Sequence, residues 1–168
     1  MRTLILGAVL ALALPAAATA APKEPTPAEL AQAACKTEKH EMGTKLFKKT
    51  YAAKSTAKAM KACIAKTVPA TEDETENAAQ ACKAERDADP DAFAETYGTN
   101  KNKRNAYGKC VSAKAKEATE DAAHDRANAA HTCNALRKDD PAGFEQAFGT
   151  KRNAFGKCVS ATAQTKDA

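Results

Sequence analysis

The sequence predicts an all-α protein made of three tandem disulfide-stapled helical units, each hairpin-like: a long helix, a short aromatic helix, a loop and a closing helix. Three observations lead there. The hydrophobic share of 43 % is mostly alanine, 42 of the 168 residues, which favours helix over strand. After residue 20 only 17 large apolar side chains remain (Leu 3, Ile 1, Val 3, Met 2, Phe 5, Tyr 3), too few for a sandwich, barrel or doubly wound sheet. The six cysteines fall in a threefold pattern, with Cys35, Cys82 and Cys133 in one alanine-rich context and Cys63, Cys110 and Cys158 in another.

At the N-terminus, Met1-Arg2, an apolar run over residues 4–14 and the small residues Ala18-Thr19-Ala20 read as a secretory signal peptide over 1–20. The run is too short for the roughly 20 residues that a membrane span requires, so no transmembrane span is expected in the mature form. Residues 21–27 (APKEPTP) read as an extended linker because three prolines oppose helix. An exported chain with an even cysteine count calls for disulfides, and no CxxC pair suggests a zinc ribbon or redox dithiol.

Three units follow, over 28–68, 71–116 and 117–165. Thr26-Pro27-Ala28-Glu29 is a capping box with Pro at the first helical position, opening the first long helix. Pro69 should end the closing helix of the first unit, with Thr71 and Glu74 forming a second capping box. Asp89-Pro90 and Asp140-Pro141 should stop one helix and start the next, since Asp caps and Pro fits the first turn. The first unit has Gly43-Thr44 at that place. Each short helix carries an aromatic pair at i, i+4 (Phe47 and Tyr51, Phe93 and Tyr97, Phe144 and Phe148), and Gly98 and Gly149 suit left-handed C-caps. The polar loops TNKNKRN and TKRN lead to closing helices in which Met60, Tyr107 and Phe155 precede the second cysteine by three residues. With Leu46 and Leu136, 14 of the 17 large residues lie on the repeated inner faces, so three small cores are expected, one around each cysteine pair. No Gly or Pro interrupts residues 109–139, so the second unit's last helix should run into the third unit's first. Among 15 connectivities, the one consistent with the repeat is Cys35–Cys63, Cys82–Cys110 and Cys133–Cys158.

The string ACKAERDADPDAFAETYGTNKNKRNAYGKCVSA resembles a unit of uncharacterised, exported, alanine-rich, Cys-paired helical repeat proteins of high-GC bacteria. It covers most of the second and third units and only loosely the first. The resemblance implies export and a Cys-paired helical unit; it carries no activity.

Charge alternates in blocks. Residues 36–66 carry nine Lys and Arg against two acids, 67–99 two against nine, and 100–116 six against none. Lys101, Lys103 and Arg104, with Lys151 and Arg152, are candidates for binding an anion, as is the Lys-rich first unit (Lys45, Lys48, Lys49, Lys54, Lys58, Lys61). The partner expected is an anionic envelope polymer or lipid surface rather than nucleic acid, given the export signal and the acidic blocks. His124 and His131 lie seven apart with Glu120 one turn before His124, which misses the i, i+4 spacing of a helical metal pair. No nucleophile elbow, phosphate loop, paired-carboxylate cleft or free thiol pattern is present. The expectation is an exported, non-enzymatic binding or structural protein of the cell envelope or extracellular space, without cofactor or metal. The alternative is a small enzyme or metal-handling secreted protein.

Overall fold

A computed structural model describes residues 24–165; the leader expected over 1–20 and residues 21–23 of the expected linker lie outside the described residues. Six helices follow one another: α1 (Pro27–Thr50), α2 (Thr56–Ala88), α3 (Pro90–Tyr97), α4 (Ala106–Asp139), α5 (Pro141–Phe148) and α6 (Ala154–Gln164), with no strand among the described residues. The protein is all-α. No helix among the described residues is long and apolar enough to cross a membrane.

Local chemistry explains most boundaries. Thr26 and Glu29 form the reciprocal capping box at the start of α1, with Pro27 in the first turn. Asp89 Oδ1 accepts from Ala92 N at 3.0 Å, and Asp140 Oδ1 accepts from Gly143 N at 2.9 Å, so both Asp-Pro steps cap the short helices as expected. Within α1, Gly43 adopts φ 73°, ψ 156°, which kinks the helix where the other two segments have Asp-Pro. Helix α4 runs unbroken through residues 106–139.

Two boundaries differ from expectation. Pro69 does not end a helix: α2 passes through it, and no capping box forms at Thr71. Thr71 is instead buried, and its hydroxyl donates to Thr67 O at 3.0 Å, while Thr75 donates to Thr71 O at 2.7 Å. The proline removes one backbone donor, but packing of Thr67 and Thr71 into the interior keeps the helix continuous across the gap. Gly98 is the second case, with φ −77°, ψ 116° rather than a left-handed conformation; Gly149 does take a positive φ, 86°. Gly98 is needed for space, because a Cβ there would lie 2.5 Å from Ala94 O and 2.6 Å from Lys103 Cδ.

The bridges are Cys35–Cys63, Cys82–Cys110 and Cys133–Cys158, each joining Cα atoms 6.0 Å apart, and no cysteine is free among the described residues. On the chain-entropy account each contributes about 3–4 kcal/mol. The cores do not divide one per bridge. The first and third bridges share a single cluster with Met42, Leu46, Phe47, Phe144, Phe155 and Val159, whereas Cys82 and Cys110 pack separately with Phe93 and Ala106. A small third cluster joins Leu30, Ala78 and Ala115. Alanine assists the fusion: Ala127, Ala129 and Ala130 of α4 are buried within the shared cluster, and α1 and α4 pack against each other. Leu136, expected on an inner face, is 41 % exposed.

Candidate anion-binding site

Where the first and third bridged segments meet, the end of α1, the end of α4 and the α5–α6 loop enclose a cavity of about 410 Å³. Lys45, Lys48 and Lys49 reach it from α1, Arg137 from α4, and Lys151 and Arg152 from the loop; Glu145 is the one carboxylate on its lining. Among the described residues none of these six cations takes part in an ion pair. The walls include two buried rings, Phe144 and Phe155, stacked with centroids 6.5 Å apart. Lys49 Nζ sits 4.2 Å from the centroid of Phe155 and donates to Asn134 Oδ1 at 3.2 Å. Burial, with Arg137, Lys138 and Lys45 nearby, lowers the pKa of Lys49 below the ordinary lysine value. An anion entering this cavity would relieve that crowding. Arg152 also lines an adjoining depression with Lys54 and Lys58, while Lys61 lines neither.

The two basic loops, similar in sequence, do different things. Lys151 and Arg152 join the cavity, but Lys103 is spent on its own loop, where its ammonium donates to Gly98 O at 3.1 Å and pairs with Glu95 at 3.3 Å. Lys101 and Arg104 are exposed beside it and line none of the cavities described here. Arg137 is the cavity residue that charge blocks alone did not single out.

The histidines tie helices together. His124 Nδ1 lies 2.5 Å from Glu41 Oε1, and His131 Nε2 lies 3.3 Å from the Glu41 carbonyl, so one residue of α1 engages both. Glu120, considered with them as a metal donor, pairs with Lys116 at 3.3 Å. The one closely spaced donor trio among the described residues is Cys35, Glu38 and Cys63, and there the two sulfurs are bonded to each other.

Glu38 was not legible as functional or structural, yet it is fully buried. Tyr51 Oη donates to its Oε2 and Arg126 Nε to its Oε1, both at 2.5 Å, and Arg126 Nη2 is buried with no hydrogen-bond partner among the described residues. Burial, reinforced by the neighbouring carboxylate, pushes the Tyr51 phenol far above its ordinary value. A signal did exist. Three residues after the first cysteine of each segment stand Glu38, Glu85 and Leu136, and the second aromatics are Tyr51, Tyr97 and Phe148. Tyr97 Oη likewise donates to Glu85 at 3.0 Å, and Lys114 pairs with Glu85 at 2.8 Å. The hydrogen bond from Lys114 holds the Glu85 carboxyl below its usual range. In the third segment hydroxyl and carboxylate are lost together.

Compared with protein-family models, curated proteins and solved structures, the chain matches none of them.

Proposed function

We propose that this is an exported, non-enzymatic binding protein that uses the cationic cavity to dock the acidic groups of an anionic envelope polymer or lipid surface. The observation that carries the reading is the convergence on one cavity of six cations from three separate parts of the chain, which among the described residues have no ion-pair partner and share the lining with a single carboxylate. A solvated charged face would spread its lysines and pair them with acids at i, i+4, as Lys83 does with Asp87. The three bridges fit an oxidising compartment, and the leader-like N-terminus and the resemblance to exported repeat proteins support the same address.

Retention on liposomes containing anionic lipid, or on an immobilised polyanion, tests this. Retention should fall as salt rises, because the attraction is between solvent-accessible charges. The Lys48→Glu, Arg152→Glu variant should bind about tenfold or more weakly, whereas Lys101→Glu, Arg104→Glu should bind like the parent. Equal weakening by both pairs would reduce the effect to net charge and remove the cavity from the account.

A further inference from the structure

A second cavity lies apart from the cationic one. The backbones of α2 and α6 stay more than 8 Å apart, and across the gap Lys66 Nζ donates to Ser160 Oγ at 2.6 Å. Beneath that contact a cavity of about 230 Å³ is lined by Tyr51, Lys66, Thr67, Arg126 and Gln164 among polar residues and by alanine methyls from α2, α4 and α6. It shares Tyr51, Lys66, Ser160 and Gln164 with a wider, more open groove of about 560 Å³.

Its polar groups are unequally served. Arg126 gives Nε to Glu38, but its Nη2 is buried without an acceptor among the described residues, and buried donors in folded proteins are almost always paired. Lys66 is within 4.0 Å of no carboxylate oxygen among the described residues; its one hydrogen bond goes to the Ser160 hydroxyl, which itself donates to Gly156 O. Arg126 is already paired with Glu38 and Asp125 also lines the space, so Lys66 is the cation here with no carboxylate partner among the described residues. The donors left to serve are Arg126 Nη2 and Lys66 Nζ, and the methyls of Ala70, Ala122 and Ala163 form an apolar part of the wall.

We propose that this cavity binds a small organic monocarboxylate, entering where Lys66 and Ser160 meet. One carboxylate oxygen accepts from Arg126 Nη2 and the other from Lys66 Nζ, and a short alkyl chain lies against the alanines. The inference is independent of the cationic cavity, which lies on other residues.

Isothermal titration of the full chain, bridges intact, with butanoate, butanol and butylamine tests it. Butanoate should bind saturably, and butanol and butylamine at least about tenfold more weakly. Lys66 is exposed, so Lys66→Met should fold normally and weaken butanoate about tenfold. Arg126→Lys should weaken it too while keeping a cation beside Glu38, and Lys48→Glu, Arg152→Glu should bind it like the parent. No saturable binding, equal binding of butanol, an unaffected Lys66→Met, or loss in the Lys48→Glu, Arg152→Glu variant would each overturn the proposal. None of these results bears on the retention of the parent protein on anionic liposomes.

Discussion

Glu38 shows how a single buried charge is held. Its carboxylate is fully out of water and is satisfied from two directions, by the phenol of the residue that caps the C-terminus of its own kinked helix and by a guanidinium 88 residues away. Removing one partner should therefore be worse than removing all. Tyr51→Phe is expected to destabilise by about 1–2 kcal/mol, and Arg126→Met by about 3–5 kcal/mol because it strands the carboxylate. The triple change Glu38→Leu, Tyr51→Phe, Arg126→Met, which copies the Leu136 and Phe148 solution of the third segment, should cost far less than the sum of the single changes. Urea unfolding of the triple variant and of the three single variants, Glu38→Leu included, reads this directly, and additive losses would show that the three side chains do not act as a unit. Tyr51 was legible as a core ring from its i, i+4 spacing to Phe47. Its hydroxyl's role was not, because no local pattern shows that Arg126 of α4 arrives beside Glu38.

Three helix starts were legible where a side chain satisfies a backbone donor, while the Ser55 cap of α2 was not singled out. The caps at Thr26, Asp89 and Asp140 depend on residues within three positions, so sequence alone suffices. Pro69 is different, because its effect is set against tertiary packing: α2 is tied to α1 through Cys63 before the proline and to α4 through Cys82 after it, and the helix persists. If the rod endures the proline rather than requires it, Pro69→Ala should restore a backbone donor and raise stability by about 1–3 kcal/mol, seen as a higher Tm. A lower Tm would mean that the proline shapes the crossing of α2 over its neighbours. Gly98 makes the same point at a turn: glycine was expected for a positive φ, but the structure needs it for the close approach of Lys103.

At the level of the whole molecule, the cysteine register made the three bridges legible, and the composition made the helical class legible. Which segments share a core was not legible, because alanines at helical spacing do not say which rod they face. The first and third bridges lie in one cluster, and the cationic cavity sits on the seam between those two segments, so the site exists only while both are docked. Lys151 and Arg152 gain their neighbours from α1 across that seam, which is why the equivalent Lys101, Lys103 and Arg104, in the segment with its own core, build no such site. Native-state hydrogen exchange on the Cys133→Ala, Cys158→Ala variant tests this arrangement most directly. Protection should fall both in α5 and α6 and in the Met42–Thr50 end of α1, while α3 and the Cys82–Cys110 region keep theirs. Loss confined to α5, α6 and the adjoining end of α4, with α1 unchanged, would contradict a shared core and with it the cavity at the seam.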